Sequence, residues 1–215
     1  MTEVVKVIGA GLAGSEAAWQ CARRGSAVDL WEMRPVRSTP AHQTPDFAEL
    51  VCSNSLKSDS ENTAPWLLKE EMRRAGSRLL EIARECAVPA GHALAVDRTA
   101  FAARVTDALS REPLITIRRE EVTQINEDQI TIIATGPLTS DALSQEIARL
   151  SGSTHLYFFD SISPIVEADS IDMSKVYLAA RYVKGSADYI NCPMSKEEYD
   201  GFCDALISGE AVEAR

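Results

Sequence analysis

The sequence predicts an α/β fold of the Rossmann-like kind, and three observations predict it. An apolar run at residues 4–8, broken only by Lys6, reads as a buried parallel strand. Gly9, Gly11 and Gly14 follow at G-x-G-x-x-G spacing and open a helix-forming run. A second apolar stretch at 27–31 then ends in Glu32, at the distance where an acidic residue takes a ribose hydroxyl. Strand, glycines, helix, strand and acid stand in the order that separates a dinucleotide site from a βαβ unit with accidental glycines. In the loop Gly9-Ala10-Gly11-Leu12-Ala13-Gly14, Gly9 allows the tight turn and Gly11 lets backbone approach a pyrophosphate. Gly14 lets helix and strand pack closely, and the unpaired N–H groups of the helix start face the phosphates.

The bulk properties set bounds on this reading. A chain of 215 residues can bury a good core, and its apolar and charged fractions are ordinary for a globular protein. No apolar run reaches membrane-spanning length and no signal-peptide pattern precedes the first strand, so a cytoplasmic location is expected, without membrane attachment. Five scattered cysteines (Cys21, Cys52, Cys86, Cys192, Cys203) form no C-x-x-C pair, which argues against a disulfide framework or a metal site. The net charge of −10 is uneven: residues 1–119 carry 16 Lys/Arg and 15 Asp/Glu, whereas 120–215 carry 6 and 17. A polyanionic partner is therefore expected to meet the first half or chain outside this sequence.

The remaining elements follow in order. The first helix is expected at 11–24, stopped by Gly25. Residues 33–47, with Pro35, Pro40, Pro45, His42 and Gln43, read as a long irregular loop of the kind where ligands gather. It leads into Leu50-Val51-Cys52-Ser53-Asn54-Ser55-Leu56, small polar residues around one thiol. A single helix is expected over 65–87, with Leu68, Met72, Ala75, Leu79, Ile82 and Cys86 as its buried stripe and Lys69, Arg73 and Arg74 on a solvated face. A strand at 93–96 precedes a helix capped by Asp97, with Phe101, Val105 and Leu109 inward. Strands are expected at 114–118, 122–125 and 129–134, the last closing on Ala134-Thr135-Gly136-Pro137, where small residues let the chain pass beneath a cofactor. That second feature favours FAD over NAD in the main site. Ser140 should cap a helix to residue 150 that Gly152 ends. Beyond it, 155–160, 175–183 and 189–192 read as strands, and Ser195 and Glu198 form a capping box for a last helix with Tyr199, Phe202 and Leu206 inward and Gly209 at its end. Nothing late in the sequence returns to the first domain, which reads as the N-terminal part of a longer protein. The expected domains are 1–150, the N-terminal part of an FAD-binding Rossmann-like domain, and 151–215, an incomplete β-rich insertion.

With the glycine loop and its continuation Ser15-Glu16-Ala17-Ala18-Trp19, the Cys-Ser-Asn-Ser segment at 52–55, Ala134-Thr135-Gly136-Pro137-Leu138-Thr139 and Asn191-Cys192-Pro193-Met194, the chain resembles one family over essentially its whole length. It is similar to the folate- and FAD-dependent tRNA (uracil-5-)-methyltransferases, the TrmFO family, once called Gid. The resemblance implies an FAD/NAD(P)-binding Rossmann-like fold of the GR2 flavoprotein type, carrying the start of an inserted α+β domain and truncated at the C-terminus. It implies that methylenetetrahydrofolate donates one carbon, NAD(P)H reduces FAD, and a T-loop uridine of tRNA receives a methyl group at C5. By position, Gly9, Gly11 and Gly14, with Ala10, Leu12 and Ala13 between them, match the FAD pyrophosphate loop, and Glu32 matches the ribose carboxylate. Gly136 joins them as a cofactor contact. Cys52 matches a cysteine assigned to catalysis beside the flavin; whether it attacks uracil or handles the methylene unit stays open. Cys192 precedes Pro193 and then Met194 rather than forming the family's Cys-Leu-Pro segment, so no role transfers to it. Arg34 either meets cofactor phosphate or ribose or is an exposed arginine, and His42 either aids thiolate formation or is a surface histidine. Two other functions fit the residues: an NAD(P)H-dependent flavoprotein oxidoreductase of a small substrate, and a non-catalytic flavin-binding module.

Overall fold

The computed structural model describes residues 4–152, 166, 168–180 and 186–210. The chain divides into two compact units, Met1–Pro164 and Ile165–Arg215. In the first, β1 (Val5–Ile8) leads through the glycine loop into α1 (Leu12–Arg23), and β2 (Val28–Trp31) returns beside β1 in parallel, Val7 opposite Leu30 and Ile8 opposite Trp31. The chain then leaves the sheet for β3 (Ser55–Ser58), α2 (Ala64–Arg74), α3 (Arg78–Glu85), β4 (Ala87–Val88), β5 (Ala93–Val96) and α4 (Arg98–Ser110). It rejoins with β6 (Ile115–Arg118) and β7 (Thr131–Ile133), before α5 (Asp141–Ser151). The main sheet runs β6-β2-β1-β7, all parallel, and β3-β5-β4 form a separate antiparallel sheet. The predicted α/β class stands. The carboxyl ends of β1, β2 and β7 come together at one edge, where ligands of such sheets bind.

The core explains the strand order. Val7, Val28, Leu30, Phe47, Ile82, Phe101, Val105 and Leu109 are each no more than 2 % exposed and belong to one cluster spanning the sheet and α1, α3 and α4. The Asp97 carboxylate accepts from the Ala100 N–H at 2.9 Å and caps α4, and its three predicted inward residues are all buried. Ser140 caps α5 and Gly152 ends it in the left-handed conformation, both as expected.

The helix expected over 65–87 is two helices. Gly76 has φ +74°, and the next residue, Ser77, caps α3 by accepting from the Leu80 N–H while its hydroxyl donates to Glu16. The Arg23 guanidinium seals the break by donating to the carbonyls of Ala75 and Gly76. Three further readings on that stretch change. Leu68, 57 % exposed, and Ala75, exposed at the end of α2, are not part of a buried stripe, and Lys69 is buried, its Nζ donating to the Leu56 and Ser58 carbonyls at 3.0 and 2.7 Å. Arg73 pairs with Asp59 and Glu70, and Arg74 with Glu70. Residues 122–125 form no strand: Val122 packs against Ile8 and Leu143, and the Ile125 N–H donates to Glu146 rather than to a neighbouring strand. Strands β3 and β4 were not foreseen.

In the second unit β8 (Tyr177–Ala179) pairs antiparallel with β9 (Tyr189–Asn191), and α6 (Lys196–Ser208) follows behind the predicted Ser195–Glu198 capping box. The first strand is shorter than the expected 175–183, of which 181–183 lie outside the described residues, as does the strand expected at 155–160. Tyr199, Phe202 and Leu206 are 57, 49 and 65 % exposed, so the face expected to turn inward is not buried.

Replacing Asp97 by alanine strips α4 of its cap. Stability should fall by about 1 kcal/mol, read as a lower urea midpoint with an unchanged denaturant slope.

Candidate functional site

The turn after β1 is fixed by two close approaches. Gly9 has φ +92°, and a Cβ there would sit 2.9 Å from the Ala134 carbonyl oxygen and the Thr135 Cα. A Cβ at Gly14 would lie 1.7 Å from the Gly9 carbonyl oxygen, so the first turn of α1 rests directly on the loop. Gly11 is different. It is the N-cap of α1, it has no side chain to cap the helix, and a Cβ there would meet no protein atom within 4 Å. The fold alone does not require glycine at position 11; an anion lying close against the backbone would. The first-turn N–H groups of α1, a helix of 12 residues, open at the same place.

Around this loop lies a cavity of about 310 Å³. Gly9, Gly11, Leu12 and Ala13 line it from the glycine turn, and Trp31, Glu32, Met33 and Arg34 from the end of β2. His42, Leu50, Val51, Cys52 and Ser53 line it from the long loop and the segment that follows. Thr135, Gly136 and Leu138 line it from the turn after β7, where Gly136–Leu138 is a short 3-10 helix. The structure thus brings Gly9, Gly11, Leu12, Ala13, Glu32, Arg34, Cys52 and Gly136 to one cavity. Ala10 and Gly14 stand behind it: Ala10 is fully buried, donates to Glu32 and accepts from the Ala48 N–H.

Glu32 is buried, and its carboxylate takes three donors. Oε2 accepts from the Ala10 N–H at 3.0 Å; Oε1 accepts from the backbone N–H and the Nε of Arg34 at 3.1 and 2.9 Å. Burial alone would raise the carboxyl pKa, but the Arg34 and Ala10 donors and the guanidinium charge outweigh it and hold the group below its ordinary range. Arg34 is 1 % exposed, which excludes the reading of it as a solvent-facing arginine. Its Nη1 donates to the Glu49 carboxylate at 2.9 Å and the Thr44 carbonyl at 3.0 Å. Glu49 in turn accepts from the N–H groups of Gln43 and Thr44 and from the Thr44 hydroxyl.

Cys52 is exposed at the cavity wall. The segment carrying it is held from both sides: the Ala48 N–H donates to the Ala10 carbonyl at 2.8 Å, and Asn54 exchanges hydrogen bonds with Val96. Ala48 is fully buried at φ +51°, the left-handed region. His42 shares the cavity and its Nδ1 lies 2.7 Å from the Thr39 hydroxyl. Sequence reasoning passed over Glu49 and Ala48. The former is one acid among many in the sequence, and nothing local marks it as the partner of Arg34. Among the described residues no group of three or more His, Cys, Asp or Glu is placed to hold a metal ion, and no helix is long and apolar enough to cross a membrane.

Comparison with known proteins bears on this site. The family model described as "Glucose inhibited division protein A" matches residues 4–215. A Koribacter versatilis protein named methylenetetrahydrofolate–tRNA-(uracil-5-)-methyltransferase TrmFO is 76 % identical over 98 % of this chain and 48 % of its own length. Relatives with the same name from Solibacter usitatus and Bacillus subtilis are 58 and 59 % identical over 100 and 98 % of the chain. The chain spans about half the length of the curated relatives it matches. The solved structure of GidA from Aquifex aeolicus superposes with a TM-score of 0.50 at 17 % identity, covering 63 % of this chain and 25 % of that one, a likeness of fold.

The Glu32 charge should be visible in acid. Because its folded pKa is depressed, its stabilisation is complete above about pH 4.3, the ordinary glutamate value, and is lost as pH falls through the folded value. At pH 7, Glu32→Gln should cost about 3–5 kcal/mol by leaving Arg34 a buried, half-partnered charge. The gap between the two proteins in urea unfolding should narrow steadily below about pH 4.

Proposed function

The chain belongs to the glucose inhibited division protein A family, and from that membership we propose that its cavity is the FAD site of a methylenetetrahydrofolate–tRNA-(uracil-5-)-methyltransferase, the activity for which its TrmFO relatives are named. The reading covers the whole protein, with tRNA as acceptor, methylenetetrahydrofolate as carbon donor, NAD(P)H as reductant and the cytoplasm as location. The observation that carries it is the meeting of the glycine turn and Cys52 on one cavity.

The residues fit the group. The N–H groups at the start of α1 would hold the diphosphate, with Gly11 leaving the backbone open to it. Glu32 keeps its negative charge beside the loop, which suits a ribose hydroxyl as a further donor: a carboxylate offers about four acceptor sites, and three donors occupy it within the protein. Gly136, at φ +60° with no protein atom within 4 Å of a Cβ, lets the turn after β7 approach from the other side. When bound, the flavin supplies the hydride and one-carbon chemistry that the protein side chains lack. The Cys52 sulfur is the nucleophile this chain contributes. Uracil C5 is a poor nucleophile until something adds at C6, and a thiolate is suited to that addition. The alternative role for the same sulfur is to handle the methylene unit.

A pair of glycine variants tests the site. Gly11→Ala should leave the unfolding midpoint unchanged and abolish flavin binding, followed by visible absorbance and titration with FAD. Gly14→Ala should destabilise the protein by about 1–3 kcal/mol, because backbone must move to admit the methyl group. Cys52→Ser should keep the flavin and its reduction by NAD(P)H while abolishing folate-dependent methylation of tRNA. Methyl transfer from S-adenosylmethionine by the whole protein would overturn the reading.

A further inference from the structure

Arg34 is a charged side chain buried to 1 % exposure, in a place where an apolar residue would pack at lower cost. Its partners indicate what it does there. One edge of the guanidinium and the backbone N–H engage Glu32, whose other oxygen holds the Ala10 N–H of the glycine turn. Nη1 engages Glu49 and the Thr44 carbonyl, and Glu49 gathers the Gln43 and Thr44 N–H groups and the Thr44 hydroxyl. Glu49 stands three residues before Cys52. A second tie runs alongside, from the Ala48 N–H to the Ala10 carbonyl. The Arg34 carbonyl is itself fixed, accepting from Arg119 Nη1 at 3.0 Å. One buried cation therefore joins two of the chain segments that line the cavity, the glycine turn through Glu32 and the cysteine segment through Glu49.

We propose that Arg34 is a positioning residue: by bridging Glu32 and Glu49 it fixes the segment carrying Cys52 against the glycine turn, and so sets how the sulfur is presented to whatever occupies the cavity. Its fork of donors satisfies two carboxylates and a carbonyl at fixed angles, which a lysine ammonium cannot reproduce. The proposal depends on the dinucleotide reading only for the identity of the occupant.

The test labels the purified protein with iodoacetamide and follows each cysteine by peptide mass spectrometry. Cys86, buried in the core of the same unit, reports global opening. Glu49→Gln leaves Arg34 its Glu32 and Thr44 partners and keeps an amide oxygen as acceptor, a milder change than Arg34→Met, and protection of Cys86 confirms that the variant is folded. In Glu49→Gln the Cys52 labelling rate should rise at least about threefold, within the range of coupled neighbours, with Cys86 still protected. Glu49→Asp should restore part of the difference, and Arg34→Lys should behave like Glu49→Gln. An unchanged Cys52 rate in the folded variants overturns the proposal. So does a parallel rise at Cys52 and Cys86, which marks general loosening. Titration with FAD separates this from the functional reading. If wild-type protein takes no flavin, that reading fails while the labelling still decides the role of Arg34. If it does, Glu49→Gln at saturating flavin should lower turnover rather than raise KM.

Discussion

The ionised carboxylate at the end of β2 is the interaction on which the rest of this site depends. Glu32 draws in the Ala10 N–H from one turn and Arg34 from the next, so two loops from successive strands share one anchor. The arrangement is self-consistent only while all members are charged or hydrogen-bonded. A guanidinium at 1 % exposure is tolerable because carboxylates face it from two directions. The parallel sheet supplies the frame: β1 and β2 in register put the glycine turn and Glu32 side by side at the same sheet edge. Sequence separation of 22 residues thereby becomes a 3.0 Å contact.

What the sequence revealed and what it hid divide along the range of the physics. Caps and turns are written locally, so Asp97, Ser140, Gly152 and the Ser195–Glu198 box were legible. Apolar periodicity identified β1, β2, β5, β6 and the inner face of α4 for the same reason. The helix over 65–87 failed because a stripe of apolar residues does not reveal a break that keeps its phase. The Gly76-Ser77 pair was the available signal, a left-handed residue followed by an N-cap. Lys69 lies off the apolar stripe and so reads as solvated, yet its ammonium satisfies two carbonyls beside the edge strand β3, a partnership no helical wheel displays. In the cavity, the glycine turn, Glu32, Cys52 and Gly136 stand together, segments that spacing, residue type and the family resemblance single out in the sequence. Glu49 is not singled out, because its significance comes from a residue 15 positions away.

The second unit shows the same division. The capping box of α6 formed as expected because it needs only four consecutive residues. The orientation of Tyr199, Phe202 and Leu206 depends on what lies opposite them, and the described strands β8 and β9 do not cover them. A two-stranded sheet gives little surface on which a helix can bury its apolar side.

Ala48 carries a consequence for how this protein can change over generations. Its left-handed backbone excludes β-branched residues, and its complete burial excludes anything larger than a methyl group. Glycine alone satisfies both conditions without strain, at the expense of a looser unfolded chain. Sequence drift four residues before Cys52 is therefore confined at this position to the two smallest amino acids, whatever the chemistry of the molecules that visit the cleft.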